Sequence, residues 1–236
     1  MNPRRIAFGA ILDEFEKLHG RLPKPIPRTP LEWILWENVA YLVDDERREL
    51  AYRTLARKVG LTAERIAKAS TKILLEVTQL GGMHPEQRVD RLKEIADLAL
   101  AEGGGDLSSV LALPVAAARK ILKKFPSIGD PGADKILLHC GTLKKLALES
   151  NGLRVAVRLG FGDEKTSYAS TYRSALTAIA PEIEEDSDWL ARASQLLRRH
   201  GKTLCKASAP DCDACPLTRS CRYFAREAVP SPRRRR

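Results

Sequence analysis

The sequence predicts an all-α protein, and three observations carry that prediction. Segments such as "LAYRTLARKVG", "AERIAKASTKILLEVTQLGG", "VDRLKEIADLALAEGGG" and "SDWLARASQLLRRHG" space apolar residues three and four apart, the period of an amphipathic helix. Each stops on glycine, which enters the left-handed conformation beyond a helix end without a steric penalty. No segment alternates apolar and polar residues with period two, and no hairpin built on Asn-Gly or Asp-Gly joins two such runs.

From the N-terminus, "MNPRRIAFGAILDEFEKLHG" reads as a first helix whose acidic residues arrive too early for a secretory signal. The next stretch, "RLPKPIPRTP" (Arg21 to Pro30), holds four prolines in ten residues, which excludes helix and predicts an extended connector and a lobe boundary. A helix follows in "PLEWILWENVAYLV", then three helix-period segments reaching Gly105. "KILKKFPSIGDPGADKILLHCG" reads as two helices joined by a tight, glycine-containing turn. "LESNGLRV" starts a further helix near Asn151, and only "SPRRRR" is low in complexity, a flexible tail. No repeat of solenoid length is visible.

A chain of 236 residues is long enough to bury a core, in one domain or two smaller lobes. With 44% hydrophobic and 30% charged residues it suits a folded protein and excludes disorder through most of its length. No apolar run approaches a membrane span, so the expected location is the cytosol. Forty Lys and Arg against thirty Asp and Glu give a net charge of +10, four of it from the terminal "RRRR". That balance favours polyanionic partners and says nothing about fold.

Four of the five cysteines, Cys205, Cys212, Cys215 and Cys221, fall within seventeen residues with the spacing Cys-x6-Cys-x2-Cys-x5-Cys. Structural disulfides do not persist in a reducing compartment. Four thiolates suit either a tetrahedral zinc or an iron–sulfur cubane, and ligand chemistry alone does not separate the two. Cys140, in the apolar run "ILLHC", reads as a small buried residue.

The run "HGKTLCKASAPDCDACPLTRSC" resembles the C-terminal [4Fe–4S] loop of the endonuclease III family of DNA glycosylases, which shares this four-cysteine spacing. The resemblance extends from about Pro30 to Phe224 and implies that Cys205, Cys212, Cys215 and Cys221 ligate the cluster. It also implies a two-lobed helix-hairpin-helix glycosylase fold. A six-helix barrel lobe over 29–138 carries the hairpin at about 119–138; residues 1–28 and 139–236 form a cluster lobe with its loop at 205–221, and DNA lies in the groove between the lobes.

"FPSIG" with Ala133 resembles the family's hairpin, Ser127 standing where the first glycine is usual. Amides at the start of a helix bind phosphate without reading sequence. The expected DNA contacts are Lys123, Lys124, Ser127, Gly129, Gly132 and Lys135.

A base buried in the stack must be flipped out before its glycosidic bond is cleaved. A carboxylate then stabilises the electron-poor sugar and activates water, whereas a lysine amine attacks the sugar directly and permits strand cleavage. The family's lysine position is Pro131 here, which implies a monofunctional enzyme; Lys135, one helical turn on, is the alternative nucleophile. "LESNGLRV" is similar to the segment that carries the catalytic Asp in the adenine glycosylases of A/G mismatch repair, with Glu149 in the Asp position. "PLEWILWENVAYLV" aligns with the segment of that branch that carries a general acid, at Glu37. Trp33, Trp36, Tyr41 and Leu42 are then candidates for the base pocket or the wedge.

The function expected is excision of a damaged or mismatched base from double-stranded DNA by a monomer at the nucleoid. Two rivals are a non-catalytic DNA-binding relative and a zinc-stapled interaction module.

Overall fold

A computed structural model of the protein describes residues 6–184 and 186–227; the tail "RRRR" lies outside them. Among the described residues there is no strand, only an isolated bridge between Tyr41 and Gly82. Contacts divide the chain into two compact units. One is Pro25–Leu143, and the other joins the described residues up to Lys24 with those from Lys144 onward.

The Pro25–Leu143 unit holds α2 (Pro30–Asn38), α3 (Asp45–Lys58), α4 (Ala63–Lys68), α5 (Thr71–Leu80), α6 (Pro85–Gly103), α7 (Val115–Leu122) and α8 (Asp130–His139). Side-chain oxygens of Thr29, Asp44, Thr62 and Ser70 accept first-turn amides of α2 to α5, each supplying a partner the helix cannot. The segment read as one helix from Ala63 to Gly82 is two: Ser70 accepts the amide of Ile73 and starts α5 afresh after Ala69 turns extended. Leu35, Leu55, Ile66, Leu74, Leu92 and Leu137 close the core of this unit.

The other unit holds α1 (Phe8–His19), α9 (Ser150–Leu159), α10 (Tyr168–Ile179), α11 (Ser187–Thr203) and α12 (Arg222–Glu227). Gly20, Gly60, Gly104 and Gly160 take positive φ where α1, α3, α6 and α9 end, as glycine stops should. Gly201 differs. Helix α11 runs through it to Thr203, and a Cβ there would lie 2.5 Å from the carbonyl oxygen of Asn151. Its reason is the close approach of α9, not helix termination. Gly201→Ala is therefore expected to lower stability to urea by about 1–3 kcal/mol, the usual cost of overpacking, although alanine is the better helix former.

Candidate functional site

Between α7 and α8 the hairpin is anchored by buried Phe125 and Ile128, and by Asn38, whose Nδ2 donates to the carbonyls of Ile34 and Pro126, both at 2.9 Å. Ser127 has φ of 62°, a left-handed conformation that favours glycine. Arg91 Nη1 donates to its hydroxyl at 3.4 Å. Gly129 precedes α8 without a side-chain cap, and Pro131 and Gly132 occupy the first turn. Lys123 pairs with Asp130 at 2.7 Å and Lys124 with Glu102 at 2.7 Å. Ser127→Gly is expected to raise stability by about 0.5–1 kcal/mol by relieving the left-handed backbone, read as a higher urea midpoint.

One turn after Pro131, Lys135 points to α2. Its Nζ lies 2.6 Å from Glu37 Oε1 and 4.8 Å from the centre of the Trp33 indole. His139 stacks on the same indole at 4.6 Å. Trp33 is buried, and Trp36 packs edge-on against Tyr52 at 5.3 Å. Arg48 donates to the carbonyls of Trp36 and Glu37, closing the end of α2. Burial, with Lys135 adding repulsion, holds the His139 pKa down at about 4.

An imidazole with a lowered folded pKa stabilises the protein above its unfolded value near 6.5, and that stability is lost as pH falls towards 4. The protein is thus expected to be about 2 kcal/mol less stable to urea at pH 5 than at pH 7 on account of this group. In His139→Gln that difference between the two pH values should shrink.

Tyr41 and Leu42 lie beyond α2, exposed at 48% and 70%, and Met83, at 51%, joins them. The amide of Tyr41 donates to the carbonyl of Gly81 at 2.8 Å, and Met83 N to the carbonyl of Tyr41 at 3.4 Å. Beneath them the buried guanidinium of Arg88 donates to the carbonyls of Val39, Thr78, Gly82 and Met83 at 2.6–2.9 Å. Sequence reasoning missed Met83 and Arg88, since neither lies in a motif.

In the other unit Glu149 is the N-cap of α9: its Oε1 accepts the amide of Gly152 at 2.9 Å and its Oε2 accepts Asn151 Nδ2 at 2.9 Å. Arg154 continues the chain, donating to Asn151 Oδ1 and Gly201 O, both at 2.8 Å, and to Cys205 O at 2.9 Å. A continuous set of hydrogen bonds therefore links the Glu149 carboxylate to the first cysteine of the loop. Tyr168, whose hydroxyl contacts the carbonyl of Leu148 at 3.5 Å, has its pKa pushed up to about 12 by burial, with Glu149 adding.

Cys205, Cys212, Cys215 and Cys221 line one pocket with Arg158 and His200. Among the described residues no three His, Cys, Asp or Glu side chains converge as ligands of a single ion. Burial pushes the Cys215 thiol up to about 11 and raises those of Cys212 and Cys221, with neighbouring thiols adding. His200, stacked on Phe15 at 4.0 Å, lies 3.6 Å from Cys215 Sγ. Cys140 stands apart in the Pro25–Leu143 unit, its thiol raised to about 11 by burial.

No family model matches the chain. It is 25% identical over 181 residues to the endonuclease III of Sulfolobus acidocaldarius, a match taking in 76% of each chain. To the endonuclease III of Rickettsia conorii it is 32% identical over 112 residues, which is 44% of this chain and 47% of that one. A solved non-covalent endonuclease III–DNA complex superposes with a TM-score of 0.71 at 18% identity, over 95% of this chain and all of the other. The fold is that of the helix-hairpin-helix DNA glycosylases. Within that class, the relatives the chain resembles in sequence are endonuclease III proteins.

Proposed function

We propose that the chain hydrolyses the N-glycosyl bond of a damaged or mismatched base in double-stranded DNA, with a carboxylate and water and without a lysine nucleophile. The observation that carries this reading is the fixed Glu149 carboxylate, held by Gly152 and Asn151, in the residue that the resemblance of "LESNGLRV" aligns with the family's catalytic Asp. A carboxylate with both oxygens already hydrogen-bonded needs no reorganisation when positive charge develops on the sugar. It also accepts a proton from the water that forms the new bond to C1′ as the bond to the base breaks.

Phosphates are taken by the uncapped start of α8 and the adjoining lysines, which bind without reading sequence. Exposed Tyr41, Leu42 and Met83 fill the gap left by the flipped nucleotide. The Glu37–Lys135 couple supplies the proton for the leaving base. Lys135 also invites a lyase reading, but its Nζ is held 2.6 Å from Glu37 Oε1 and 4.8 Å from the centre of the Trp33 ring, contacts a nucleophile would have to leave to reach a sugar.

The cysteine pocket fits a [4Fe–4S] cluster held by Cys205, Cys212, Cys215 and Cys221. Four thiols lining one pocket supply one ligand for each iron of such a cluster. The cluster serves here as a structural anchor. No helix among the described residues is long and apolar enough to cross a membrane.

Duplexes carrying uracil, thymine glycol, 8-oxoguanine opposite adenine, or alkylated bases test the proposal. Excision of at least one, revealed by hot alkali, should fall about 100-fold or more in Glu149→Gln with binding retained. Borohydride should trap no covalent complex. Binding without excision across the panel would instead make the chain a non-catalytic relative.

A further inference from the structure

Arg158 makes a set of contacts that excision does not require. Its Nη1 donates to Cys205 Sγ at 3.3 Å and to the carbonyl of Lys206 at 2.7 Å, and its Nη2 donates to the carbonyl of Ala207 at 3.1 Å. The guanidinium lies 4.2 Å above the ring of Tyr223, and the Arg158 carbonyl faces Cys221 Sγ at 3.5 Å. The first and last cysteines of the loop thus meet the same residue, and its polar partners are carbonyls and sulfur.

We infer that Arg158 is a positioning residue for the cysteine-bound cluster, one that sets its reduction potential and guards it against oxidation. This rests on the iron–sulfur reading above. Hydrogen bonds to ligating sulfur, net charge and solvent exposure set the potential of such a cluster. Reduction adds an electron and so makes the sulfurs more negative. A cationic N–H donor then binds the reduced state more strongly than the oxidised one, which raises the potential. By the same sign it resists loss of an electron to dioxygen. The planar fork matters because it reaches sulfur and two loop carbonyls together, while Tyr223 covers one of its faces.

The test uses the full chain purified anaerobically with its cluster. In Arg158→Gln the midpoint potential, followed by EPR, should fall; a tenfold change in the one-electron equilibrium corresponds to about 59 mV. Bleaching of the visible absorbance in air should be several-fold faster. Arg158→Lys keeps the charge and loses the fork, so it should fall between the two. Tyr223→Phe keeps the ring and should match wild type. Wild-type potentials in both Arg158 variants would overturn the inference, even with less cluster retained, because a loop tie alone changes cluster content and leaves the potential of the surviving clusters unmoved. Wild-type protein without iron, sulfide or an EPR signal on reduction would instead remove the cluster reading itself.

Discussion

The contact of α9 with α11 at Gly201 is the constraint on which the unit carrying the cysteine loop depends. With no side chain at Gly201, its backbone meets the Asn151 carbonyl, and Arg154 can then reach Gly201 O, Cys205 O and Asn151 Oδ1 together. Asn151 in turn holds Glu149. A helix packed one methyl further away would break this set in the middle, separating the carboxylate from the loop. The cysteine loop and the carboxylate cap are therefore parts of one packing decision, although 56 residues separate Glu149 from Cys205 in the chain.

The Pro25–Leu143 unit is organised around a buried charge. Arg88 is buried, and it donates to main-chain carbonyls from the end of α2 and the end of α5. Carbonyls left at helix ends are natural acceptors for such a donor. The result joins two loops that would otherwise end independently, and it makes Tyr41, Leu42 and Met83 neighbours on the surface. Gly81 and Gly82 allow this, since a Cβ at either would collide with the backbone of residues 39–41.

What the sequence made legible was local or periodic. Glycine stops at Gly60 and Gly104, the hairpin between α7 and α8, and the spacing of the cysteines each follow from a few adjacent residues. Gly201 shows the limit: at the end of an amphipathic segment, a glycine needed for packing reads the same as one needed for termination. Arg88 was illegible for a similar reason, because an arginine in a charged helix looks solvated until its carbonyl partners are known. Glu149 could be aligned from "LESNGLRV", yet its support by Asn151 and Arg154 needed the helix to bring the three side chains onto one face. Arg158 lies one turn beyond Arg154, so its reach toward the same cysteine is the kind of relation a four-residue spacing offers in hindsight.

The ion pairs of the hairpin also change how its charge should be counted. Lys123 and Lys124 are each already matched to a carboxylate, Asp130 and Glu102. A phosphate that recruits either lysine must displace or share that carboxylate, so the gain is an exchange of anions and not the capture of a bare cation. Counterion release scales at about 0.9 per phosphate neutralised, and lysines held in this way neutralise less than their number suggests. The salt sensitivity of a surface built so is set by its acids as much as by its lysines.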